Sequence, residues 1–119
     1  MSDTAEEKPA VRLQLTVEFA DGLDTLIDPK ELTKVDGRMK ATIPFATSTV
    51  TMMDLIKRIR DEYIKTDREL FYTDKGLRPG ILVLVNDADW ELTDDGVDKY
   101  EQELGNKDEV VFISTLHGG

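Results

Sequence analysis

The chain contains no cysteine among its 119 residues. Disulfides, Cys-ligated zinc and a nucleophilic thiol of its own are thereby excluded. It has one histidine, His117, with no cysteine or serine in a recognisable nucleophile motif to accompany it, so the pairings on which nucleophilic catalysis depends are missing. Cations are scarce, with 15 Lys and Arg against 25 Asp and Glu and a net charge of -10. Direct binding to nucleic acid or to anionic lipid is therefore not expected, since counterion release needs clustered Lys and Arg. No run of 18 apolar residues occurs, which removes a membrane-spanning helix and leads us to expect a soluble protein. Gly22, Gly37, Gly76, Gly80, Gly96 and Gly105 are isolated, and none opens a helix in a G-x-G-x-x-G or P-loop arrangement. An enzyme acting alone is not expected.

What is present is patterned. The hydrophobic content is 39% and falls in periodic blocks, which argues against general disorder. The length suits one compact domain and no more. Residues 1–10 are polar, contain a proline and lack an apolar h-region, so they read as a flexible N-terminal tail and not a secretory signal. In residues 11–19, Val11, Leu13, Leu15, Val17 and Phe19 alternate with polar residues, the period of a strand with one face on a core. Asp21-Gly22 is suited to a tight turn. Residues 23–40 form a long, punctuated connection, with a second strand expected over residues 39–45.

Thr51 followed by Asp54 has the form of a capping box, and Met52, Leu55, Ile56, Ile59 and Tyr63 recur on one helical face, which predicts an amphipathic helix over residues 52–64. After Arg78-Pro79-Gly80, the unbroken run Ile81 to Val85 suits an interior strand covered on both faces. Asn86 to Asp89 is turn chemistry, and residues 90–92 are expected to add a short strand before an acidic loop or helical turn over residues 97–104. Val110 to Ile113 is the last apolar run. Two strands, a helix and then two or three strands make an α+β pattern, a mixed sheet covered by one main helix. That order matches a β-grasp, ubiquitin-like fold, with the domain over residues 11–114 and an extended tail over 115–119.

Between Asn86 and Glu109 ten acidic residues stand against Lys99 and Lys107. A solvated face is the ordinary reading; steering toward a basic groove on a partner is the functional one. A calcium loop fails on spacing, because the sixth and twelfth positions counted from Asp87 are Leu92 and Asp98 instead of Gly and Glu. No metal is expected.

The Gly118-Gly119 end is a weak signal alone. Its weight comes from lying a few residues beyond an apolar strand in a chain with this element order. Two residues without Cβ can thread extended into a narrow active site. The terminal carboxylate, with a reference pKa of about 3.3 to 3.7, is ionised at neutral pH and can attack the α-phosphate of ATP held by another enzyme. Val110, Val111, Phe112 and Ile113 add a second clue, because a terminal strand needs only alternate residues for its core. Either both faces are covered, the reading marginally preferred, or Val111 and Ile113 belong to a patch that a partner covers.

The stretch from Leu77 to Leu92, reading LRPGILVLVNDADWEL, and that from Phe112 to Gly119, reading FISTLHGG, closely resemble the ubiquitin-related modifier family of eukaryotic sulfur carriers. The resemblance runs from about Val11 to the end, with residues 23–46 longer than usual. It implies a cytoplasmic β-grasp carrier, expected as a monomer, with no bound cofactor, ATP being used by an activating enzyme that carries a rhodanese-like domain. It further implies that Gly119 is adenylated and converted to a thiocarboxylate, with Thr115, Leu116, His117 and Gly118 recognised by that enzyme. The sulfur would pass through a tRNA thiolation complex to the wobble uridine. The same terminus would be joined to lysines of target proteins, particularly under oxidative stress. Lacking cysteine, the chain can carry sulfur only on its terminal carbonyl. Two rivals stand: a prokaryotic-type carrier for molybdopterin or thiamine synthesis, against which the residues around the tail argue, and a non-covalent ubiquitin-like interaction domain, for which Gly118 and Gly119 would be dispensable.

Overall fold

Alternation, capping and turn chemistry place the first elements as expected, and the connections between them hold the differences. The computed structural model describes residues 10–74, 76–90 and 99–115. Strand β1 (Leu13–Ala20) buries Leu13, Leu15, Val17 and Phe19. Val11 shares their period but precedes the strand and is 57% exposed, so it takes no part in the core. The chain leaves β1 through Asp21 and Gly22, both at positive φ. It enters a short 3-10 helix, Leu23–Leu26, instead of turning straight back.

The long connection is more ordered than its punctuation suggests. Leu23, Leu26 and Ile27 are buried. The Asp28 side chain accepts from the Lys30 N–H at 3.0 Å, with Pro29 in the first turn of a second 3-10 segment, Pro29–Glu31. The Asp28 N–H donates to the Tyr63 carbonyl at 3.1 Å and the Lys65 N–H to the Leu26 carbonyl at 3.2 Å, which stitches the connection to the far end of the helix. Asp36 and Gly37, at φ 53 and 80, then join two strands, β2 (Thr33–Val35) and β3 (Arg38–Phe45). These are the left-handed angles a two-residue hairpin needs. Strand β2 escapes sequence reading because three exposed residues carry no period.

After β4 (Val50–Thr51), helix α1 (Met52–Arg58) opens on the expected capping box. The Asp54 N–H donates to Thr51 Oγ1 at 3.1 Å, and the Thr51 N–H to the Asp54 carboxylate at 3.0 Å. Each bond satisfies a donor that the helix start leaves orphaned. Met52, Leu55, Ile56, Ile59 and Tyr63 are buried, so the amphipathic reading is correct in face and span. Only the α-helical pitch stops early: Ile59–Tyr63 winds wider, with the Ile64 N–H donating to the Ile59 carbonyl. Arg58 does more than solvate the outer face, since its guanidinium lies 4.3 Å over the Phe45 ring and donates to the Pro44 carbonyl at 2.7 Å. It thereby ties the helix to the end of β3.

Next come β5 (Tyr72–Thr73), β6 (Gly76–Leu77), β7 (Ile81–Val85), β8 (Ala88–Asp89), β9 (Glu103–Leu104) and β10 (Glu109–Ser114). The main sheet runs β2-β3-β1-β10-β7-β8, with β1 and β10 parallel and the other neighbours antiparallel. Asn86 and Asp87 at positive φ make the β7–β8 hairpin. Trp90 follows β8 instead of opening a strand; it is buried, and its indole N–H donates to the Lys99 carbonyl at 3.2 Å. Its ring meets Tyr100 edge-on at 5.2 Å, and the Tyr100 hydroxyl accepts from the Leu77 N–H at 3.1 Å. A Cβ on Gly76 would fall 2.7 Å from that hydroxyl, so only glycine fits there. This knot fixes the chain on either side of residues 91–98, which lie outside the described residues together with four of the ten acidic side chains, Glu91, Asp94, Asp95 and Asp98.

Candidate functional site

The expected working end is the C-terminal strand together with the residues after it. β10 lies inside the sheet, paired with β1 on one side and β7 on the other. Val110 and Phe112 are fully buried. Phe112 stacks on Phe19 at 6.1 Å and meets Phe71 edge-on at 5.3 Å, inside the range where aromatic pairs attract. A residue emerging from such a strand starts from a rigid base.

The ladder with β7 ends at Ser114 opposite Ile81. One residue further, the Thr115 N–H donates to the Gly80 carbonyl at 2.9 Å, and the Thr115 hydroxyl donates to the same oxygen. Thr115 is one of the residues expected to be read by a partner, yet its hydroxyl is already engaged within the chain. Leu116, His117, Gly118 and Gly119, the other expected tail residues, lie outside the described residues, as do residues 1–9 of the expected N-terminal tail.

Val111 and Ile113 lie on the outward face of β10. Both are half-buried, not covered. The marginally preferred expectation of two covered faces is corrected, and so is the one for residues 81–85. Ile81 and Val83 are buried, whereas Leu82 and Leu84 are half-buried on the outer face. Register brings the four together, with Val111 opposite Leu84 and Ile113 opposite Leu82. On the β1 side, Ala20 stands opposite Ile113 and Glu18 opposite Val111. The result is a contiguous apolar patch at the foot of the tail, bordered by Glu18, which pairs with Arg38 at 3.9 Å. Sequence reasoning misses Leu82 and Leu84 as patch residues, although the signal is the same as for β10: more apolar residues in a row than one face uses.

Other features lie elsewhere. An open groove of about 610 Å³, lined by Leu26, Ile27, Pro29, Leu32, Met39 and Lys65, lies beside the β2–β3 end of the sheet. Groups displaced from their ordinary pKa are on the wide turn after α1: a hydrogen bond from Arg60 holds the Asp61 carboxyl below the usual carboxylate range, and burial pushes the Tyr63 hydroxyl up. Among the described residues, no three His, Asp or Glu side chains gather in a way that could hold a metal ion. No helix of the described residues is long and apolar enough to cross a membrane. Asp108, one of the ten acidic residues between Asn86 and Glu109, is structural. Its carboxylate accepts from the Gly105 N–H at 2.7 Å and from Asn86 Nδ2 at 3.0 Å.

A mixed sheet wrapped on one main helix, with a C-terminal strand at its centre, is the β-grasp arrangement of ubiquitin-like proteins. The sequence model of the ubiquitin-related modifier family matches residues 14–119. A ubiquitin-related modifier 1 homolog from Dictyostelium discoideum is 43% identical over 107 residues, which is 90% of this chain and 100% of the relative. The solution structure of Urm1 from Trypanosoma brucei superposes with a TM-score of 0.62 at 32% identity, covering 89% of this chain and 95% of that one. The small archaeal modifier protein 1 from Methanosarcina acetivorans, at 14% identity and a TM-score of 0.58 over 90% of this chain and 97% of its own, is similar in fold alone. The chain belongs to the ubiquitin-related modifier family.

Proposed function

We propose that this modifier is a sulfur carrier whose Gly119 is the reacting group. The Gly119 carboxylate attacks the α-phosphate of ATP on an activating enzyme with a rhodanese-like domain, pyrophosphate leaves, and a sulfur nucleophile displaces AMP on the way to a thiocarboxylate. The sulfur is handed to a tRNA thiolation complex that makes 2-thiouridine at the wobble position. When a lysine amine displaces AMP or the sulfur instead, the terminus becomes an isopeptide on a target protein, a use expected under oxidative stress. All of this is cytoplasmic work for a monomer that binds no nucleotide of its own.

The observation that carries this reading is the anchored root. β10 is clamped at the sheet centre, Thr115, the last described residue, is held to Gly80, and four residues follow it in the sequence. At 3.3 to 3.6 Å per extended residue, those four reach about 13 to 14 Å at most. That is a length suited to a channel in another enzyme. The net charge of -10 supports a protein that visits the thiolation enzyme without gripping tRNA itself. The test is incubation of the full chain with ATP, the activating enzyme and a sulfur donor, followed by intact mass. The expected product is heavier by the exchange of one oxygen for sulfur. An unchanged mass, with the enzyme active on another carrier, counts against the reading.

The patch is the surface such an enzyme would cover. Val111→Asp and Ile113→Asp place a charge on the outer face without touching the core, so melting is expected to stay near that of the parent. Activation is expected to fall by about tenfold or more, the loss typical of an interface anchor. Leu84→Asp should do the same. Unfolding of these variants, or normal activation, removes the patch from the interface.

A further inference from the structure

Thr115 stands one residue past the last ladder pair, and two of its groups donate to one acceptor. A carbonyl oxygen has two lone pairs, so the Gly80 oxygen can accept the Thr115 amide and hydroxyl together. The acceptor is itself fixed. Gly80 has φ 99, in the left-handed region that glycine enters without strain, and sits in a turn closed by the Ile81 N–H on the Arg78 carbonyl at 3.2 Å. The Arg78 N–H in turn donates to the Phe71 carbonyl at 2.8 Å. Phe71 is buried and meets Phe112 edge-on, and Phe112 lies on β10 below Thr115. A closed circuit therefore runs from β10 through the Phe71 ring to the Arg78–Gly80 turn and back to Thr115.

We infer that Thr115 is a positioning residue, closing on Gly80 to fix the point and direction from which the last four residues leave the domain. This rests on the proposed carrier function and deepens it. An unheld root must be ordered each time the tail enters an enzyme, and that entropy is charged against binding. A root ordered beforehand escapes it. The threonine β-branch also restricts the hydroxyl to few rotamers, which suits a clasp better than a freely turning side chain.

The test uses the full chain carrying Thr115→Val, which keeps the β-branch and loses the hydroxyl, beside Thr115→Ser, which keeps the hydroxyl. Amide hydrogen exchange at position 115 reads the clasp in the free protein, and steady-state activation reads its consequence. Parent and Thr115→Ser are expected to exchange slowly, and Thr115→Val faster with melting unchanged. KM for the carrier should rise about three- to tenfold in Thr115→Val, the range for one lost hydrogen bond, while kcat holds. Equal exchange in all three proteins, or a kcat loss at constant KM, overturns the inference. So does a raised KM with unaltered exchange, because the enzyme would then be reading the hydroxyl directly. Parent protein that shows the exchange pattern yet is not activated overturns the carrier reading and the delivery role with it. Parent protein that is activated without the pattern overturns the clasp alone.

Discussion

Removal of Gly118 and Gly119 is expected to abolish activation while leaving the melting transition where it is. Among the described residues the last ladder pair is Ser114 with Ile81 and the last holding bonds are those of Thr115, so the described core is complete without Gly118 and Gly119. The chemistry depends on them fully. Each residue lost withdraws the carboxylate by about 3.3 to 3.6 Å, and a misplacement of only 1 Å at a reacting centre can cost about a hundredfold. The new terminus would also be His117, whose imidazole would have to occupy space that two glycines leave open. Deleting Gly119 alone should already reduce the rate by at least about a hundredfold on the same reasoning. The measurement is ATP-dependent formation of the thiocarboxylate, with thermal unfolding alongside. A truncated chain activated at the parent rate would show that the terminus is not the reacting group, and a non-covalent interaction domain would become the better description.

Phe112→Ala is expected to produce the largest loss of stability of any single change to β10. The ring is fully buried between Phe19 and Phe71. Truncating a buried phenylalanine typically costs about 3 to 5 kcal/mol, part lost transfer energy and part the cavity that rigid neighbours fail to fill. Against a total stability of roughly 5 to 15 kcal/mol for a domain, that is a large share, and at this chain length it corresponds to a fall in Tm of roughly 10 to 20 °C. Urea unfolding with an unchanged slope would attribute the loss to the native state. A cost below about 1 kcal/mol would be out of range for a buried ring and would mean that β10 is not packed as described. The contrast with Val111→Asp is itself informative, since the adjacent residue faces outward and is expected to affect partner binding instead of folding.

Some of these elements are plainer in the sequence than others. β1 is legible because four alternating apolar residues have no second explanation, and α1 because Thr51 and Asp54 cap a stripe of five buried side chains. The β2–β3 hairpin is hidden although it carries an Asp-Gly signal at Asp36-Gly37, because Thr33 to Val35 are all exposed and show no periodicity. The two 3-10 segments are hidden for the related reason that three or four residues are too few to show a period. Asp108 looks like one more solubilising charge until Gly105 and Asn86 come within hydrogen-bond distance of it. Leu82 and Leu84 read as covered because an unbroken apolar run is the usual mark of a strand buried on both sides; this strand has the run and only one covered face.

Residue order alone leaves this chain without cysteine, a nucleotide loop or a nucleophile motif around its histidine, and so directs the proposal to the carboxylate after two glycines. Folding alone decided what surrounds the strand that leads to it. The neighbours of Thr115 and of Val111 come from Gly80, Leu82 and Leu84, about thirty positions earlier in the chain, and they meet only because β7 and β10 pair in one register. A linear pattern records which residues can face a core. It does not record which strand will lie alongside, because that choice is made by side chains distant in sequence packing against one another.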